Sequence, residues 1–280
     1  MAKLILSAFA DEYSASVDEQ LSMLRSQSIP MLEPRQVDDK NISLLTAQEA
    51  QALKAKLDGI RISAIGSPLG KINLADDFEA HLELTRRVCD TANILETPRV
   101  RMFSFYLHKG KSREECRGEV IDKLGRMLEV ARSFGIALCH ENEADIYGES
   151  PEQCFDLLQA FGGELKCVFD MGNFVLGGYK PYPEAYELLK DYVEYFHVKD
   201  ATFDGAIVPP GCGEGSIGSI LEQHLASANS DVILTLEPHL MTFAGLDKLT
   251  DRKFSNPFVY PDAQTAFLDA VRHMRSVVKC

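Results

Sequence analysis

Short apolar runs rich in Val, Ile, Leu and Phe recur along the whole chain, and each is followed by a stretch whose apolar residues have helical spacing. Eight such runs can be placed, at 3–8, 30–34, 60–67, 99–105, 136–141, 166–170, 194–199 and 231–237. A strand that is apolar on both faces must be covered on both, and helices returning between parallel strands provide that cover. The alternation runs through the 280 residues with no linker, low-complexity tract or change of composition. It therefore predicts an α/β fold, a single (β/α)8 TIM barrel over residues 1–280, with an open doubly wound sheet as the alternative.

Helix starts support the same partition. Thr46-Ala-Gln-Glu49, Ser112-Arg-Glu-Glu115 and Ser150-Pro-Glu-Gln153 read as capping boxes, the last with Pro at the first helical position. Past Ser112, residues Val120, Leu124, Met127, Leu128, Ala131 and Phe134 share one helical face, as do Phe267, Val271, Met274 and Val278 in the last segment. The stretch between Pro238 and Pro261 has weak periodicity. In a barrel it would follow the eighth strand, on the face where loops carry function.

Composition excludes several classes. The net charge of −13, from 42 acidic and 29 basic residues, opposes nucleic-acid binding, which needs a basic face. No run approaches the ~18 apolar residues of a membrane span. The apolar stretch after Met1 is too short for a secretory signal and reads as a first buried strand. Seven scattered cysteines form no C-x-x-C pair, so idle thiols in a reducing cytoplasm are expected rather than disulfides or a thiolate zinc site.

In a parallel barrel the C-terminal ends of strands build the catalytic face. Four consecutive predicted strands carry Glu141, Asp170, His197 and Glu237 there, separated by 29, 27 and 40 residues, about one βα unit each. Two glutamates, an aspartate and a histidine form a hard, oxygen-rich donor set for one divalent metal ion, Mn²⁺, Mg²⁺ or Co²⁺, with zinc as a further candidate. The competing reading is that these acids cap loops or pair with basic residues at the barrel rim.

His-Glu-Asn-Glu at 140–143, Phe-Asp-Met-Gly-Asn-Phe at 169–174, Phe-His-Val-Lys-Asp-Ala at 196–201 and Leu-Glu-Pro-His at 236–239 resemble the xylose isomerase-like superfamily of sugar phosphate isomerases and epimerases. Ser-Pro-Leu-Gly-Lys at 67–71 and Glu33 fit the same pattern, so the resemblance spans nearly the whole chain. It implies that Glu141, Asp170, His197 and Glu237 bind the metal and that Glu141 and Glu237 also act as acid and base. Members often carry Glu-Asn-His after the fifth strand, where this chain has Glu143. Ketose 3-epimerases place a substrate-binding His where this chain has Asn173. The expected activity is a metal-dependent sugar or sugar-phosphate isomerase or epimerase, the alternative a dehydratase of the inosose-dehydratase type. The expected partner is a small sugar, keto acid or polyol, and barrels of this family commonly form homo-oligomers. A DNA-repair endonuclease of the same superfamily would need a positive groove and more than the seven histidines present. A non-catalytic barrel would not need all four ligands.

Such an enzyme removes a proton beside a carbonyl, and the enediolate that results needs positive charge nearby. Lys199, two residues past His197, is placed on the same side by strand alternation, to meet substrate or to pair with Asp200 at the rim. Lys71, Glu33 and Asn173 are further substrate-side candidates. His140 and His239 flank ligand positions and are expected to point away. Gly213-Glu-Gly-Ser-Ile-Gly218 satisfies the dinucleotide pattern G-x-G-x-x-G, yet it lies a dozen residues beyond its strand. A turn into the next helix is expected there, or a phosphate pocket. Lys248, Arg252 and Lys253 are the other phosphate candidates.

Overall fold

A computed structural model describes residues 2–241 and 257–278. Its barrel strands are β1 (Leu4–Ala8), β2 (Met31–Leu32), β3 (Arg61–Ile62 continuing as Ile65–Gly66), β4 (Arg99–Met102), β5 (Ala137–Glu141), β6 (Lys166–Asp170), β7 (Val193–Val198) and β8 (Val232–Leu236). The helices are α1 (Val17–Ser26), α2 (Ala47–Lys56), α3 (Phe78–Ile94), α4 (Arg113–Ser133), α5 (Pro151–Ala160), α6 (Met171–Leu176), α7 (Tyr186–Leu189), α8 (Ile217–Ser227) and α9 (Ala263–Val278). No helix among the described residues is long and apolar enough to cross a membrane.

All barrel pairings are parallel. A seven-stranded sheet runs from β1 through β8, β7, β6, β5 and β4 to the second half of β3. β1 lies on β8 in register from Leu4 opposite Val232 to Ala8 opposite Leu236. β2 pairs with the first half of β3, and the Glu33 N–H donates to the Ala8 carbonyl at 3.1 Å, which bridges β2 back to β1. The ring is the TIM barrel that the alternation predicts. Its second strand is shorter than the run 30–34, which begins and ends with proline. Pro30 and Pro34 supply only acceptors, to the N–H groups of Arg61 and Gly66 at 3.0 Å each.

Two of the three predicted capping boxes form both bonds, at Thr46 with Glu49 and at Ser112 with Glu115. Ser150 caps α5 through its hydroxyl, but the Gln153 side chain turns to that hydroxyl, so no reciprocal bond to the Ser150 backbone forms. In α4 the predicted Val120, Leu124, Met127, Leu128 and Ala131 are buried, joined by Cys116, while Phe134 at the C-cap is half-buried. That face and its counterparts on the other helices make the large core outside the strands.

Inside the ring a separate apolar layer is built from Met31, Ala64, Cys139, Val168, Tyr195 and Ile233, with Ile5 against it. Strand alternation places the residue two positions further along each strand in the layer above. That layer holds Ser7, Glu33, Glu141, Asp170, His197 and Thr235, all buried. Water is therefore excluded from below, and the polar side chains of this layer must satisfy one another.

Candidate metal centre

Glu141 and Asp170 are the last residues of β5 and β6, and His197 lies directly across from Asp170 in the sheet register. Glu237 follows β8, with its N–H donated to the Val198 carbonyl at 3.1 Å. One ligand atom from each of these four side chains lies within 4.8 Å of all the others. His197 Nδ1 sits between the two glutamates, 3.0 Å from Glu141 Oε1 and 3.3 Å from Glu237 Oε2. Asn142, between two site residues in sequence, exchanges both amide bonds with the Asp170 backbone at 3.0 Å and fixes the β5 and β6 ends together.

The far side of the imidazole is held by Glu33, whose Oε2 is 3.2 Å from His197 Nε2. Glu33 also accepts from Tyr195 Oη at 2.9 Å and Thr235 Oγ1 at 2.7 Å. A carboxylate on the outer nitrogen leaves Nδ1 for the centre and fixes the ring's orientation. Glu33 was expected on the substrate side. It instead lies fully buried in the same layer as His197, on the far side of the imidazole, where His197, Tyr195 and Thr235 take up its oxygens.

Two arginines that strand-end reasoning passes over complete the electrostatics. Arg101 Nη1 is 2.8 Å from Glu141 Oε2. Arg35 Nη1 is 3.0 Å from Glu237 Oε1, while its Nε and Nη2 reach Asp11 at 2.9 Å and Glu12 at 3.4 Å. Both guanidinium groups lie over the Phe9 ring, at 4.6 Å for Arg35 and 5.3 Å for Arg101. The signal for them was period two: Arg35 is two past Glu33, and Arg101 sits in the middle of a strand.

Burial alone would raise the Glu141 carboxyl, but the charges of His197 and Arg101 outweigh it and hold it below the ordinary range. Burial is likewise overcome at Glu237, which Lys199 and His239 hold well below. Asp170 goes the other way. Burial pushes it up to about 7, with Glu141 and Glu237 adding to the rise and Lys199 opposing. Three crowded, buried carboxylates and an oriented imidazole fit a divalent cation.

The remaining candidates fall as follows. Lys199 Nζ points into the centre, 3.2 Å from Asp170 Oδ2, 3.1 Å from Asn173 Oδ1 and 3.4 Å from Glu237 Oε2, and not toward Asp200. Asn173 Nδ2 reaches the Asn142 carbonyl at 2.9 Å. Lys71 Nζ pairs with Glu143 at 2.8 Å and lies 4.3 Å above the Phe103 ring. His140 turns outward to Ser104 at 2.9 Å, as expected. His239 does not turn away. It is two residues past Glu237, on the same side, and its Nε2 is 3.2 Å from Glu237 Oε1.

The glycine-rich segment wraps a side chain of the protein itself. Asp200 accepts the N–H groups of Gly211, Gly213 and Gly215 at 2.8–3.0 Å. A Cβ on Gly213 would lie 2.4 Å from Asp200 Oδ1, so close approach explains the glycine, and those amides are not turned to a phosphate. Lys248, Arg252 and Lys253 lie outside the described residues.

Known proteins share this arrangement of strands. The chain is 29% identical over 121 residues to the uncharacterized protein MJ0008 of Methanocaldococcus jannaschii, a match covering 42% of this chain and about half (52%) of that protein's length. The IolI protein solved with a bound zinc atom superposes with a TM-score of 0.74 at 17% identity, covering 99% of this chain and 98% of that one. D-Psicose 3-epimerase with D-tagatose from Clostridium cellulolyticum H10 superposes with a TM-score of 0.72 at 14% identity, over 100% of both chains. At these identities the structures speak for the fold alone. The sequence profile of the xylose isomerase-like TIM barrel matches residues 27–270, and with barrel and profile in agreement this chain belongs to that family.

Proposed function

We propose that the protein is a divalent-metal-dependent isomerase or epimerase acting on a small sugar or sugar-like polyol, with Glu141, Asp170, His197 and Glu237 as the metal ligands. The convergence of those four side chains at the C-terminal mouth of the barrel carries the reading. When bound, the cation supplies the positive charge that stabilises negative charge developing on substrate oxygens. Mn²⁺, Mg²⁺, Co²⁺ and Zn²⁺ all suit the donor set, and the IolI structure holds zinc.

Glu141 and Glu237 flank His197 Nδ1 from two sides, which gives the centre two carboxylates facing one volume. One removes the proton from the carbon beside the carbonyl. The other returns a proton to the opposite face, giving the epimer, or to the neighbouring carbon, giving the aldose–ketose isomer. General acid–base placement of this kind contributes about 10²–10⁴-fold. Lys199 Nζ, between Asp170 and Glu237, is placed to hold a substrate oxygen as charge builds on it. Lys71 with Glu143, and Asn173, form the adjoining polar wall.

The test is solvent deuterium incorporation into a panel of ketoses, D-tagatose included, in D₂O with the Mn²⁺-loaded protein. Carbon-bound deuterium with an epimer or isomer as product is the expected result. Loss of water from the substrate would select the dehydratase reading instead. Neither exchange nor product from a metal-loaded protein would sink both.

A further inference from the structure

The two oxygens of Glu237 face different neighbourhoods. Oε2 looks toward His197 and Lys199, inside the centre described above. Oε1 looks the other way, toward a second group of donors. Glu12, Glu237 and His239 each present one ligand atom within 4.8 Å of the others. His239 Nε2 is 3.2 Å from Glu237 Oε1 and 3.4 Å from Glu12 Oε1, and the His239 backbone N–H donates to Glu12 Oε2 at 2.8 Å. Two carboxylates and an imidazole are a divalent-cation set in their own right.

A positive group already sits against that set. Arg35 Nη1 is 3.0 Å from Glu237 Oε1 and its Nη2 is 3.4 Å from Glu12 Oε1, while Asp11 takes its Nε at 2.9 Å. Only 3% of the Arg35 side chain is exposed. A guanidinium and a divalent cation competing for the same buried oxygens exclude each other, since repulsion at such distances is barely screened. Asp11 and Glu12 also line a cavity of about 140 Å³ together with Tyr13, Ser14 and Asp39. Its acidic walls would draw cations to Glu12.

We propose that Arg35 fills a second cation position built from Glu12, Glu237 and His239, and so keeps the metal centre mononuclear. The inference rests on the metal-centre reading above, and it assigns to Arg35 the part that a second metal ion would otherwise play. Without the guanidinium, Asp11 and Glu12 would lose their buried ion-pair partner and Glu237 Oε1 its contact, and the vacated position would accept a divalent ion.

Metal content decides this without any assay of turnover. Apo protein is dialysed against Mn²⁺ and metal per chain is measured by plasma mass spectrometry. Wild type should hold about one ion and Arg35→Met about two, with Glu12→Gln in the Arg35→Met background returning to about one. The two-ion form should show an exchange-broadened manganese resonance, because Glu237 would bridge the pair. Arg35→Gln, uncharged but still able to donate to Glu237, gives the same reading should Arg35→Met not fold. One ion in the folded Arg35 variants, or two in wild type, overturns the proposal. No ion in wild type overturns the metal-centre reading itself and this inference with it, so the two failures are told apart by the wild-type value.

Discussion

Arg101 Nη1 lies 2.8 Å from Glu141 Oε2, with side-chain exposures of 5% and 2%. The strands carrying them are neighbours, and this contact holds the outer oxygen of Glu141 while the inner one faces His197. Breaking one partner of such a buried pair leaves the other uncompensated, at a cost of about 3–5 kcal/mol. Arg101→Met should therefore lower unfolding free energy by that order in urea at pH 7. A midpoint matching wild type would show that Glu141 does not depend on the guanidinium.

Glu237→Gln tests the acid–base assignment. The amide keeps an oxygen for the cation but cannot accept and return a proton. Turnover should fall about 10²-fold or more while the protein retains part of its bound metal. Full activity in this variant would remove Glu237 from the proton-transfer step.

Glu33 acts through another residue. It accepts from His197 Nε2, Tyr195 and Thr235 and lies behind the imidazole, away from the centre. Glu33→Gln should weaken metal affinity about 10–100-fold, read by competition against a chelator. Were Glu33 instead a substrate contact, KM would rise with metal affinity unchanged.

His81 sets part of the acid limit of stability. Its Nε2 accepts the Gly70 N–H at 2.9 Å, and burial pushes the imidazole from 6.5 down to about 4. The unfolded chain therefore binds the proton more readily than the folded one between those values. The contribution of neutral His81 is full above about pH 6.5 and is lost as pH falls through 4, with a slope of up to about 1.4 kcal/mol per pH unit. His81→Gln keeps an acceptor without the titration, and its stability should decline less over that range in pH-dependent urea melts. An identical decline would place the acid sensitivity elsewhere.

Much of the centre was legible because it obeys two simple periods. One βα unit separates successive strands, and strand ends face one mouth, so Glu141, Asp170, His197 and Glu237 could be read together. The arginines were harder for a physical reason. A buried cation is recognised by its partner, and Arg35 meets Glu237 across 202 positions of sequence, which no local window connects. His239 was misjudged because only the residues next to a ligand alternate away, and it is two past Glu237. Its backbone also adopts a left-handed φ of 48°, which few histidines take. Alternation from His197 already offered Lys199 to the centre, whereas the choice of Asp200 for the glycine-rich loop needed the three-dimensional path of residues 200–215.

The pairing of β1 with β8 joins Lys3 to Asp231, 228 residues apart, and the ring is incomplete without it. Since each ligand is delivered by a different strand and Glu237 comes from the last of them, no early fragment of the chain can assemble the site. On the proposed metal-centre reading, the appearance of metal binding during refolding would time the moment at which the first and last barrel strands meet.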